Sequence, residues 1–141
     1  MKRLFALTLG AVAAITTASP AAAEGLNLTI DGIRNANGSV LVLVFENARA
    51  FEELDWTNAV QFADIPARSG RVSHRFADMT GGPYAIFVMH DENGDQDLNF
   101  SGQRLLEGIG ASGVTESTPY PTFAQAAVGP GNVSVQIYYD E

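Results

Sequence analysis

Between His90 and Asn99 the chain reads His-Asp-Glu-Asn-Gly-Asp-Gln-Asp-Leu-Asn, which places oxygen-bearing side chains at every second position: Asp91, Asn93, Asp95, Asp97 and Asn99. A tight bend with that spacing turns alternate oxygens toward one centre. Ca²⁺, a hard cation, takes about six to eight such ligands. The Asp-x-Asn-x-Asp opening matches the start of an EF-hand loop. Two departures follow: glycine stands at the fourth position, Gly94, while the sixth is Gln96, and the twelfth is Gly102 in place of a bidentate glutamate. The flanks read as strand then loop. The expectation is therefore an EF-like Ca²⁺ loop of Asp91, Asn93, Asp95, Asp97 and Asn99, closed by Asn99 or by a group such as Glu107. The competing account is a solvated turn in which Asp, Asn and Gly serve backbone conformation alone.

His74 and His90 are the two histidines. Both fall in strand-like runs and could meet across neighbouring strands to hold a transition metal with a carboxylate. No third ligand stands at a metal-binding spacing, so packing or hydrogen bonding is the preferred role. Nucleophilic templates fail: no Gly-x-Ser-x-Gly elbow is present. Asp95 and Asp97 are adjacent loop acids with no apolar run beside them to raise one pKa, which a glycosidase acid requires. Gly108-Ile109-Gly110-Ala111-Ser112-Gly113 has a phosphate-friendly composition but neither a lysine nor a following helix, and reads as flexible loop. Trp56, Tyr120, Tyr138 and Tyr139 are candidates for an exposed aromatic platform, with packing at a sandwich edge preferred. The scattered Arg34, Arg68, Arg71, Arg75 and Arg104 read as surface ion-pair partners.

Short strands must position these groups. Leu26, Leu28 and Ile30 alternate with polar residues, the period of a half-buried strand. Asn35-Ala36-Asn37-Gly38 supplies turn chemistry, and Ser39 to Phe45 is then apolar at nearly every position, a central strand covered on both faces. These two runs read together as a hairpin. Asn47 is placed to cap a short helix carrying Ala50, Phe51 and Leu54. Further strands are expected over Val60 to Asp64, Arg71 to Phe76 (with Val72, His74 and Phe76 on one face), Ala85 to His90 and Val133 to Tyr139. The stretch from Asp91 to about Pro121 shows no period and reads as a long loop, with one helical turn over Thr122 to Ala127. The expected fold class is all-β: an antiparallel immunoglobulin-like or transthyretin-like β-sandwich of six or seven strands with one or two short helical turns.

Lys2 and Arg3, the apolar run from Leu4 to Ile15 and the small residues Ala21-Ala22-Ala23 have the form of a secretory signal cleaved after Ala23. Domains are expected as 1–23 signal peptide and 24–141 a single β-sandwich, leading to the periplasm or outside the cell with no membrane anchor after cleavage. No cysteine is present, so neither a disulfide nor a lipidated cysteine is available. The charge is −8 at pH 7. Removal of Lys2 and Arg3 makes the balance two charges more negative and leaves arginine as the only strong base. That composition excludes nucleic acid and anionic lipid as partners.

Leu-x-Leu-x-Ile-x-Gly-Ile-Arg-Asn-x-x-Gly-Ser-Val-Leu-Val-Leu-Val-Phe (Leu26 to Phe45), Gly-Gly-Pro-Tyr-Ala-Ile-Phe-Val-Met-His-Asp-Glu-Asn-Gly-Asp (Gly81 to Asp95), Gly108 to Ser112 and Pro121 to Ala127 together resemble the bacterial domain-of-unknown-function family 2141. The resemblance covers the whole chain after the leader. Its most specific piece is the His-Asp-x-Asn-Gly-Asp stretch. It implies export and a β-sandwich and names no reaction. In the family pattern an aspartate often stands at Asn99, and Asp97 is an additional acid. The reading that results is an exported, non-catalytic binding or structural module with a Ca²⁺-type loop, facing an unknown protein, peptide or glycan ligand. The alternative is a small periplasmic hydrolase or transition-metal-dependent enzyme using His74 and His90 with a loop carboxylate.

Overall fold

The computed structural model describes residues 25–115 and 120–141, so the expected leader and its cleavage after Ala23 lie outside the described residues. Strands β1 (Leu26–Ile33), β2 (Ser39–Phe45), β3 (Gln61–Pro66), β4 (Gly70–Phe76), β5 (Ala85–Asp91), β8 (Gly108–Ala111) and β9 (Gly131–Gln136) build two sheets, ordered β4-β1-β9 and β3-β2-β5-β8. The short β6 (Phe100–Ser101) and β7 (Arg104–Leu105) pair with each other apart from both. The all-β sandwich is present, with seven strands in its two layers.

One face of each sheet meets the other. Leu26, Leu28 and Ile30 of β1, Val72 and Phe76 of β4 and Val135 of β9 pack against Val40, Val42, Val44, Ile86 and Val88. The alternate side chains of the four-stranded sheet (Leu41, Leu43, Phe45, Ala85, Phe87 and Met89) form a second core on its outer face. Helix α1 (Ala48–Glu52) and helix α2 (Phe123–Ala126) cover that face through Ala50, Phe51 and Ala126. A strand with period-two geometry can be apolar throughout only if both faces are buried. The two cores are the reason β2 and β5 are. Burying each such side chain contributes about 1.5–3 kcal/mol. Asn47 caps α1 as expected, its Oδ1 accepting from Ala50 N–H at 3.0 Å. Thr122 and Gln125 form a capping box on α2.

Four expectations are corrected. First, β1 and β2 are not a hairpin. The Asn35–Gly38 turn carries the chain from one sheet to the other, and each strand takes different neighbours. The turn is genuine: Asn37 N–H donates to Asn35 Oδ1, and Gly38 has φ +64° with a hypothetical Cβ 2.0 Å from the Asp91 carbonyl oxygen. Local turn chemistry is the same whether the partner strand is in the same layer or the opposite one. Second, one pairing is parallel, β9 lying along β1 from Leu26↔Gly131 to Asp31↔Gln136. Third, the strand expected over Val60 to Asp64 runs from Gln61 to Pro66; it buries Ala63 and, partly, Ile65 against the core and leaves Val60 and Phe62 exposed, with Trp56 beside Phe62.

Fourth, Gly108 to Ala111 is a strand rather than flexible loop. It pairs antiparallel with β5 from Phe87↔Ala111 to His90↔Gly108. Its inward positions are glycine because the C-terminal segment crosses directly beneath them. A Cβ on Gly110 would stand 2.3 Å from the Gln136 carbonyl oxygen, and one on Gly108 would stand 2.3 Å from the Tyr139 ring. Ile109 then bridges to Tyr138. The two sheets are thereby joined along this side. Ser112, which follows, is fully buried, donates to Ala126 O and accepts from Ile86 N–H, locking β5 to α2.

Candidate functional site

The acidic loop leaves β5 at Asp91, whose carboxylate is buried and takes Gly94 N–H (3.1 Å) and Gln96 N–H (2.9 Å) on its two oxygens. The first oxygen ligand of the expected set is thus also the group that folds the loop back on itself. The Asn93 side-chain amide donates to Asp95 Oδ2 at 3.2 Å and to Asn99 Oδ1 at 3.1 Å, while its own oxygen accepts from Asp95 N–H. Asn93, Asp95 and Asn99 therefore share a focus, and an amide N–H₂ lies between two oxygens at the place a cation would take. Asp97 stands apart, exposed, with Oδ1 accepting from Leu98 N–H. The Asn99 amide, followed by the Asp97 N–H and the Asn93 amide, holds the Asp95 carboxyl below the usual carboxylate range. Among the described residues no three His, Asp or Glu side chains gather as a metal-holding group.

Glu107 closes the loop. Its Oε2 accepts from Asn99 N–H at 2.7 Å, and Leu106 N–H donates to Asn99 O at 2.9 Å. Glu107 is 5 % exposed.

The two histidines occupy different sheets and different tasks. His74, on β4, is half-buried and meets Phe76 edge-on with ring centroids 4.6 Å apart. His90, on β5, is fully buried, and both its ring nitrogens have protein partners: Nε2 lies 2.8 Å from Asn37 O and Nδ1 lies 2.8 Å from Tyr139 Oη. A carbonyl oxygen can only accept, so Nε2 carries the proton. In the neutral ring Nδ1 then accepts from the Tyr139 hydroxyl. Tyr139 Oη in turn accepts from Arg34 N–H, and the Arg34 guanidinium lies 4.5 Å from the centre of the Tyr139 ring while pairing with Glu92. This chain of contacts ties the turn after β1, the end of β5 and the C-terminus together. Arg71 also pairs on the surface, with Asp31, as does Arg49 with Glu53.

The four aromatic residues singled out by sequence do not form one platform. Trp56 is beside Phe62, and Tyr139 is at His90. Tyr120 and Tyr138 do converge, on a cavity of about 220 Å³ at the β8 edge of the outer face. Phe87, Gly110 and Ala111 are among its lining residues, together with Leu105, Ile109, Val114 and Pro121 and the two acids Glu107 and Asp140. Tyr120 is held by stacking on Phe51, centroids 5.0 Å apart, and by donating to Phe51 O at 2.9 Å. Burial, with a smaller contribution from Glu52, pushes the Tyr120 phenol well above its ordinary pKa. Tyr138 is oriented by a short hydrogen bond from its hydroxyl to Thr115 O. Asp140 Oδ2 accepts from Leu105 N–H and docks the β6–β7 hairpin. Sequence reasoning had named Tyr120, Tyr138 and Glu107 without joining them, and had no signal for Asp140, Leu105 or Val114. Leu105, Glu107, Val114 and Tyr120 belong to one stretch of the chain, and the fold brings Tyr138 and Asp140 to it from the C-terminus.

The acidic loop and the cavity share Glu107, which lies at the end of one and in the wall of the other. The arrangement provides a largely apolar pocket lined by aromatic residues and carboxylates. Comparison with curated proteins and with solved structures finds no match. A family model described as an uncharacterized protein conserved in bacteria matches residues 28–138, which is most of the chain, and the protein therefore belongs to the bacterial family DUF2141.

Proposed function

We propose that the protein is an exported, non-catalytic binding module of the periplasm or the cell exterior, holding its ligand in the cavity walled by Phe87, Tyr120 and Tyr138. The observation that carries this reading is the cavity itself, a partly open, largely apolar pocket with a few polar groups, in a fold whose buried polar side-chain atoms, among the described residues, all have hydrogen-bond partners. A protein, peptide or glycan remains the partner class. The histidines support the non-catalytic reading over a hydrolase or metal-dependent enzyme built on His74 and His90, since both His90 nitrogens are engaged and His74 belongs to the other sheet.

Ca²⁺ is the ion proposed for the 91–99 loop. Asn93, Asp95 and Asn99 support it, because their side chains share a focus and turning the Asn93 amide, at the loss of its bond from Asp95 N–H, replaces the central N–H₂ with an oxygen. The export reading rests on the leader sequence. No helix among the described residues is long and apolar enough to cross a membrane. The test is to express the full chain in a bacterium with two membranes, isolate the periplasmic fraction and measure intact and native masses. A chain beginning at Glu24, with a non-covalently bound small molecule or peptide lost on denaturation, is expected. A chain retaining Met1 in the cytoplasm would overturn the export reading.

A further inference from the structure

Glu107 is a buried carboxylate. It keeps one hydrogen bond, from Asn99 N–H, and among the described residues no arginine or histidine forms an ion pair with it; the arginine pairs present are Arg34–Glu92, Arg49–Glu53 and Arg71–Asp31. Arg34 and Arg104 line a neighbouring surface cleft with Glu107, and neither pairs with it. Buried acids are ordinarily compensated, because removing a carboxylate from water costs several kcal/mol unless an opposite charge offsets it. Glu107 also lines a cavity whose wall carries a second acid, Asp140, and the residues Tyr120 and Tyr138. Aromatic faces attract cations and repel anions. The rest of the lining is apolar.

We propose that this cavity binds an organic cation, a primary ammonium or guanidinium on a short apolar stem, with Glu107 as its counter-ion. The proposal rests on the binding-module reading above and gives its ligand a chemical class. The size agrees: a dry engineered cavity of about 150 Å³ holds benzene, so 220 Å³ holds a short stem and its charged head. The charge agrees as well, since a chain of pI about 4.6 concentrates cations at its surface. The same chemistry reaches the cavity from two sources, a free amine or the lysine or arginine side chain of a peptide.

The experiment is a chemical-shift titration of the purified chain with n-butylammonium, agmatine, capped lysine (acetyl-lysine methylamide) and n-butanol, read at Tyr120, Tyr138 and Ile109. Saturable shifts are expected for the three cations, with butylammonium binding about tenfold tighter than the equally shaped butanol, the difference expected for a charge-assisted hydrogen bond. Glu107→Gln should remove that preference. Its amide oxygen still accepts from Asn99 N–H, so the fold is retained. Glu46→Gln, which removes the same charge from an exposed position outside the cavity, should preserve it. If Glu107→Gln does not fold, Asp140→Asn and the butylammonium-to-butanol ratio of the unaltered chain carry the test. Tighter binding of capped lysine than of butylammonium identifies a peptide side chain as the source, and the reverse identifies a free amine; both support the proposal. Equal binding of butanol and butylammonium overturns the cation assignment and leaves the binding cavity standing. No shift at the three residues with any probe overturns both.

Discussion

His90 shows how a residue with catalytic chemistry is committed to structure. Its imidazole lies in the interior, where an unpartnered ring nitrogen costs about 1–3 kcal/mol. Asn37 O and Tyr139 Oη satisfy both nitrogens. Tyr139→Phe removes the hydroxyl while keeping the ring under Arg34, so chemical denaturation should show a loss of about 1–3 kcal/mol; an unchanged midpoint would remove the hydrogen-bond argument. Tyr120 yields a pH prediction. Its phenol has a raised pKa in the fold, so the folded state holds the proton where the unfolded chain has released it. The stability this contributes is fully present below the ordinary tyrosine range near pH 10 and is lost as pH rises through the higher folded value. Near-ultraviolet titration should show the Tyr120 phenolate appearing later than that of exposed tyrosines. Tyr120→Phe should flatten the alkaline decline in melting temperature. Asp95 behaves in the opposite sense, its lowered pKa keeping the loop charged well into acid.

Elements in this protein are legible where burial is symmetric or strictly alternating. The unbroken apolar run at Val40–Phe45 and the alternation at Leu26–Ile30 point to strands because their burial follows backbone period. The Asn47 cap and the turn at Thr122 are visible because capping chemistry is local. Strand β8 is invisible to the same reasoning. Gly-Ile-Gly-Ala has low strand propensity, and its glycines answer to the C-terminal segment packed beneath them. Gly110→Ala tests this directly: the added methyl has no space at 2.3 Å from backbone. Overpacking of this kind costs typically about 1–3 kcal/mol, and the melting temperature should fall accordingly. Thermal stability equal to the unaltered chain would show that the two sheets are not closed along β8 and the C-terminus.

At the scale of the whole molecule, a strongly acidic chain folds without disulfides around two apolar cores, one between the sheets and one under the helices. Excess negative charge opposes compaction. A cation held by the 91–99 loop, as proposed, would relieve part of that repulsion and bind the folded state selectively. With Ca²⁺ at about a hundredfold excess over its Kd, the melting temperature should rise by roughly 5 °C or more. Asp95→Asn should reduce the rise, and an unchanged melt at millimolar Ca²⁺ would remove the ion from the loop.

Composition and pattern alone determined the fold class, most strand positions, the Asn47 cap and the family, because each depends on residues near one another in the chain or on total burial. The acidic loop was equally visible, since its five oxygens lie within nine residues. Only the tertiary structure decided that β1 and β2 part into different sheets, that β9 runs parallel to β1, that His74 and His90 are kept separate, and that Glu107, Tyr120, Tyr138 and Asp140 enclose one cavity. Those outcomes depend on which strand edges and faces meet in space. Side chains brought together from distant segments leave no periodic trace in the order of residues.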